Sequence, residues 1–231
     1  RFDPNLPSAQ QRTGIALRPT VFDVVGHRAV ALFANSETRL AEPAWRFRLD
    51  DPRHFALFEE FVYKPLRHRD STAWEFQALR LQQQLELAHM SDDRPDALVD
   101  AILSRLAHVH AHSVLPEKDS LYLAALEKLR TRVPQDSCWS EVTTVIAQWH
   151  HEQSVKYDRL AGDAWKNEKR TARDLCNEAI ATFPGSFGAQ QAAALKFALE
   201  QPAVNVQCEP ATPPDQAFKV AVRYTNTSRV W

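Results

Sequence analysis

The sequence predicts a mainly α-helical protein, an array of antiparallel helical hairpins followed by the first strands of a β-sandwich. Three observations carry that class. The stretch from Ser91 to Leu129 reads as two amphipathic helices joined by a short polar turn. Segments of the same kind precede and follow it, and their short links make antiparallel neighbours the expected arrangement. Beyond Pro202 the apolar pattern changes from a helical period to strict alternation. The chain thus divides into an extended lead-in at 1–19, a helical repeat-like domain at 20–202, and the truncated start of a β-sandwich at 203–231.

Residues 1–19 are polar and carry Pro4, Pro7 and Pro19, which predicts an extended segment. Thr20, with Asp23 three residues on, opens the first helix as a capping arrangement. Its apolar stripe is Val21, Val25, Ala29, Leu32 and Phe33, with Gly26 a weak point in the middle. Within 41–49, Trp45, Phe47 and Leu49 alternate with Arg46 and Arg48, the pattern of an extended arm laid over a helix face. Asp51-Pro52 reads as the N-cap and first residue of a helix through Tyr63, ended by Pro65.

Thr72 and Glu75 predict the next helix start, with Trp74, Ala78, Leu81, Leu85 and Ala88 on one face. Its neighbour aligns Leu98, Ile102, Leu106 and Val109. After Pro116-Glu117 come Tyr122, Ala125, Leu126, Leu129 and Val133, then Trp139, Val142, Ile146 and Trp149. A last pair carries Ala172, Leu175, Cys176, Ala179 and Phe183, then Ser186 as N-cap, then Ala192, Leu195 and Leu199. A helix ending in Phe-Pro-Gly-Ser before an Ala-rich helix is what a tetratricopeptide-like hairpin looks like. The full repeat consensus is missing, so the repeats read as degenerate. At the far end, Val204, Val206 and Cys208 alternate with polar residues, as do Phe218, Val220, Val222 and Tyr224. Two strands alone make no stable sheet, so they read as the opening of a larger β-structure.

Apolar residues at 44% and charged residues at 25% are ordinary for a globular domain. Lys and Arg number 28 against 29 Asp and Glu, which points away from nucleic acid and anionic membranes as partners. No apolar run approaches the roughly 18 residues of a membrane span. The opening RFDPNLPSAQ lacks the apolar region of a signal peptide. Strand-like residues running to Trp231 read as interrupted, so the expectation is a piece of a longer chain whose export signal is also missing.

Candidate chemistry is thin. His108 and His112 stand at i, i+4 in His-Val-His-Ala-His and would share a helix face for a metal, with His110 pointing elsewhere. The zincin pattern HExxH requires Glu where Val109 stands, so helix-end imidazoles near C-terminal carbonyls are the preferred reading. Adjacent His150 and His151 diverge by about 100° on a helix and read as an exposed helix end. There is no G-x-S-x-G elbow, and five glycines leave no phosphate-cradling loop. Cys176 lies on an apolar stripe; Cys138 stands at a helix N-terminus, which would lower its thiol pKa, with no partner residue to support that; Cys208 alternates within a strand. None has CxxC spacing. The mixed-sign run Lys156–Arg170 reads as a solvated loop, and Asn226-Thr-Ser228 matches a glycosylation sequon. No catalytic, cofactor-binding or metal-binding residue is therefore expected, and no cofactor.

Taken together, 16–33 (ALRPTVFDVVGHRAVALF), 92–126, 172–190 (ARDLCNEAIATFPGSFGAQ) and the strand-like 220–231 resemble the N-terminal region of the large bacterial alpha-2-macroglobulin-like proteins of the Bacteroidetes type. The resemblance covers nearly the whole chain. It implies an exported, lipid-anchored protein of the periplasm or cell envelope, with a helical N-terminal part ahead of many β-sandwich domains. The family traps proteases, often through a Cys-to-Gln thioester. Glu141, Ala179 and Ala211 stand where each cysteine's Gln would be, so no thioester lies here. The resemblance also implies a second cysteine near Ala192, which leaves Cys176 without that partner.

The expected role is a non-catalytic scaffold or docking module. Its expected partners are the downstream macroglobulin domains of the same chain, and envelope proteins or proteases. A free-standing helical-repeat adaptor of the periplasm is the alternative, and a metal-dependent hydrolase using His108 and His112 with His150 or His151 ranks last.

Overall fold

Residues 9–35, 45–158, 160–208 and 217–227 are described by the computed structural model, and the protein over this span is mainly helical. The helices are α1 (Ala9–Leu17), α2 (Val21–Phe33), α3 (Phe58–Phe61), α4 (Trp74–His89), α5 (Asp96–His112), α6 (Lys118–Arg132), α7 (Trp139–Ser154), α8 (Glu168–Thr182) and α9 (Phe187–Glu200). Two strands, β1 (Ala203–Cys208) and β2 (Val220–Thr225), pair antiparallel at the C-terminal end. From α4 to α9 each helix packs on the next, while α2 lies on α4 and α1 on α5.

The main core runs through α3 to α7, from Phe61 and Leu79 through Ile102, Leu106 and Leu126 to Ile146. A second core joins α7, α8 and α9 through small residues: Ala147, Ala172, Cys176, Ala179 and Ala192. Side chains this small let helix axes approach closely. A third, minor cluster of Val30, Leu85 and Ala101 seats α2. Every predicted stripe residue of α5, α6 and α7 is buried, because four-turn amphipathic helices leave their apolar face only one place to go.

Several expectations need correction. Residues 9–17 form a helix where the extended lead-in was predicted; the prolines at 7 and 19 flank a proline-free stretch rather than interrupt it. Residues 1–8 of that expectation lie outside the described residues, as do 36–44 ahead of the arm. The predicted helix from Asp51 to Tyr63 is broken into a 3-10 turn at Pro52–Phe55 and the short α3. Asp51 does cap that turn, accepting from Arg53 N. At Ala56 and Leu57 the backbone is extended, which leaves the His54 and Ala56 carbonyls free for a side chain of α5.

Thr72 is not the cap of α4: the N-cap is Ala73 with no side-chain bond, and Thr72 Oγ1 donates to Asp70 instead. The buried face of α4 is Phe76, Ala78, Leu79, Gln82, Leu85, Glu86 and His89, so the predicted Ala78 and Leu85 lie on it, while Trp74 and Leu81 are half-buried and Ala88 is exposed.

Other expectations hold as stated. Thr20 and Asp23 form a full capping box, and Ser186 Oγ accepts from Ala189 N. Phe47 and Leu49 of the arm are buried, and the Leu49 backbone bridges to Ser113 beyond α5. Gly26 is explained by close approach: a Cβ there would lie 3.0 Å from a Leu85 methyl.

The β-ribbon is peripheral. In register Val204 faces Tyr224, Val206 faces Val222, and Cys208 faces Val220, so one face is wholly apolar. All of these side chains are exposed, Val206 at 57% and Tyr224 at 58%. Asn226 ties the ribbon to α9 by donating Nδ2 to the carbonyls of Leu199 (2.7 Å) and Gln201 (3.0 Å). A glycan on the Asn226 sequon would need that same nitrogen.

Candidate functional site

Three polar clusters stand out inside the helical array. In the first, Arg105 of α5 is wholly buried against Glu86 of α4, which is equally buried. Its Nη1 donates to the His54 carbonyl and its Nη2 to the Ala56 carbonyl at 2.9 Å, and the guanidinium lies 3.9 Å from the Phe61 ring centroid. Burial pushes the Glu86 carboxyl above the ordinary glutamate range, and the guanidinium works against that push. His54 beside it is held neutral, lowered to about 4 by burial first and then by Lys64. Every donor of the node faces protein, so it acts as a clamp on the 51–61 segment.

The second cluster ties α2 to α4. His89 Nε2 lies 2.7 Å from Asp23, and Nδ1 lies 2.7 Å from Asp92. With a carboxylate on each nitrogen the ring is held as imidazolium. Burial alone would lower the His89 pKa, but bonds to Asp23 and then Asp92 raise it overall. Burial alone would raise Asp23, but His89 and then Thr20 bring it below its usual value.

A raised histidine contributes stability that is full below its ordinary 6.5 and fades as pH rises through its folded pKa. Asp23, with a depressed pKa, contributes above 3.8 and loses that as pH falls further. His27 on the same helix is shifted down, by burial first, against the pull of Asp100 at 3.5 Å, so it acts in the opposite sense. His89→Gln also takes away a charge that lowers His27, so the difference between wild type and variant includes the change at His27. That difference is expected to reach about 1–2 kcal/mol between pH 3.8 and 6.5 and to shrink above it. Urea titrations at several pH values, with amide exchange across α2, measure it.

The third cluster is acidic. Glu141 of α7 is buried near Asp96 and Asp100 of α5, and its carboxyl is pushed up to about 8 by burial first, then by Asp100 and Asp96. A raised carboxyl favours the fold below its ordinary 4.5, and that contribution is lost as pH rises through about 8. Glu141→Gln is therefore expected to stabilise the protein increasingly from about pH 5 to 9, by roughly 1 kcal/mol at the top. Thermal melts across that range decide it; a constant difference would place the carboxyl outside this environment.

Of the sequence-based candidates, the structure brings His108 and His112 together and sets His110 apart, as their spacing implied. His108 and His112 stack obliquely at 4.7 Å on α5, while His110 lies flat on Tyr122 at 4.3 Å and bonds Asp119 at 2.7 Å. Among the described residues no three His, Cys, Asp or Glu side chains are grouped to hold a metal. His150 is not an exposed helix end: its Nδ1 bonds Glu168, joining α7 to α8. Nor is the Cys138 thiol activated. Burial first, then Asp96 and Glu141, push it up to about 12, and burial pushes Cys176 to about 11.

No family model, curated protein or solved structure matches this chain.

The polar residues therefore argue for themselves. Arg105, Glu86 and His89 were not singled out by sequence reasoning, while Asp23 was read only as a helix cap and Glu141 only as a position lacking the thioester Gln. The signal available was a charge at a stripe position: Glu86 follows Gln82 and Leu79 on one face of α4, and Arg105 lies one turn from Ile102 and Val109.

Proposed function

We propose that this chain is the non-catalytic helical docking module at the N-terminus of an alpha-2-macroglobulin-like cell-envelope protein, of a family that traps proteases. Its helical part is a degenerate tetratricopeptide-like array, and its C-terminal ribbon opens a macroglobulin-type β-sandwich. The observation that carries the reading is the β1–β2 ribbon. Its whole apolar face is uncovered, yet Asn226 fastens it to the last helix. Such a ribbon is marginal in water by itself and gains stability from further strands packed on its face. The resemblance of 16–33, 92–126, 172–190 and 220–231 to that family supplies the identity of those strands. The paired polar residues support a scaffold role, since each of these buried or half-buried pairs joins one helix to another.

The test is the coding sequence beyond Trp231, followed by amide exchange on the chain with its next domain attached. Macroglobulin-type β-domains there, with protection of Ala203–Cys208 rising when the first is present, support the reading. A stop codon, or unchanged exchange in β1, overturns it in favour of a free-standing helical adaptor.

A further inference from the structure

Where α4 and α6 end and α5 begins, the turns at 90–95 and 133–136, together with α3, enclose an open cleft of about 380 Å³. Its floor is apolar, formed by Leu98, Ile102, Leu129 and Val133 with Met90 and Phe58 at the side. Its walls are acidic. Glu59, Asp92, Asp93 and Asp136 line it against two cations, His89 and Arg132. Arg132 is taken by Glu59 at 3.1 Å, and His89 is held by Asp92 and Asp23. Asp93 and Asp136 have no ion-pair partner among the described residues, and both are exposed.

We infer that this cleft receives an arginine side chain with an apolar neighbour from a protein partner, an inference that rests on the docking role proposed above. The two uncompensated carboxylates select a cation. A metal ion would leave the apolar floor unused, and no three ligating side chains are grouped for one among the described residues. A small polyamine has methylenes to lay on that floor, but its compact ammonium groups are strongly hydrated and lose more on leaving water than a guanidinium does. Arginine satisfies both surfaces, because its guanidinium is weakly hydrated and its methylene stem covers apolar area. Burying such a side chain between a dry floor and charged walls is how arginine acts as an interface hot spot.

The probe is the capped peptide acetyl-Leu-Arg-Leu-amide, titrated against the full chain with amide chemical shifts as readout. Saturable shifts confined to the α4–α5 turn, the start of α5 and the end of α6 are expected. Replacing the peptide's arginine by citrulline keeps its shape and removes its charge, and should weaken binding about fivefold. Asp93→Asn combined with Asp136→Asn should weaken the arginine peptide to the same degree and leave the citrulline peptide unchanged. Both positions are solvent-exposed, so the fold tolerates the change. Equal binding of the two peptides, shifts elsewhere, or equal competition by spermidine at fixed ionic strength would overturn the assignment. Such a failure with β1 still protected by the attached domain would sink the cleft and leave the docking role standing.

Discussion

Arg105→Met should be the most damaging single substitution in the helical array, lowering stability by about 3–5 kcal/mol. The cost comes from what is left behind. Glu86 would be a buried carboxylate without its cation, and the carbonyls of His54 and Ala56 would lose their donors. The Phe61 ring would also lose the guanidinium stacked on it. In a chain of this size the thermal midpoint should fall by roughly 10 °C. Arg105→Lys should recover little, because an ammonium does not reproduce a planar fork bonded to a carboxylate and two carbonyls at once.

Adding Glu86→Leu to Arg105→Met removes the stranded charge and should return most of the loss. The remainder, about 1–3 kcal/mol, belongs to the two carbonyls. Urea denaturation of the two single variants and the double variant closes the cycle. If the double variant is no better than Arg105→Met, the ion pair is not what holds the 51–61 segment.

That node also explains which parts of the fold were legible in sequence. Stripes of Leu, Ile, Val and Trp located α5, α6 and α7 because apolar burial needs no partner of special geometry. The break at Ala56 was not legible, since nothing local in Phe55-Ala56-Leu57 demands it. It exists because a side chain far along the chain takes two carbonyls. The face of α4 was misjudged in part for the same reason: Glu86 and His89 are not in its apolar stripe, yet both face inward to partners on other helices. Charge pairs across long separations leave only a weak trace in the pattern, a polar letter at an apolar period. The capping box at Thr20 and the cap at Ser186 were visible because donor and acceptor lie within three residues.

Gly188→Ala is expected to cost about 2–3 kcal/mol, even though alanine is the better helix former. Gly188 lies in the first turn of α9, where replacing glycine by alanine would ordinarily gain roughly 1 kcal/mol in a helix. Here a Cβ would sit 2.2 Å from Glu141 N, 2.4 Å from the Ser140 carbonyl carbon and 2.5 Å from Ser140 Oγ. Two of those atoms are backbone, so no rotamer change relieves the clash and α9 must withdraw from α7. Withdrawal breaks the hydrogen bond from Thr144 Oγ1 to the Gly188 carbonyl (3.0 Å) and the Ser140–Ser186 hydroxyl pair (2.7 Å). It also opens the small-residue core around Ala147, Ala189 and Ala192, which depends on close approach. Gly14→Ala in α1 is the internal control, because nothing lies within 4 Å of its Cβ position. That variant should be neutral or more stable by up to about 1 kcal/mol. Equal shifts in the melting temperature of the two variants would mean that α9 does not pack on α7 through this contact. A loss confined to Gly188→Ala, with faster amide exchange in α9 and in the ribbon that Asn226 fastens to it, is the expected result.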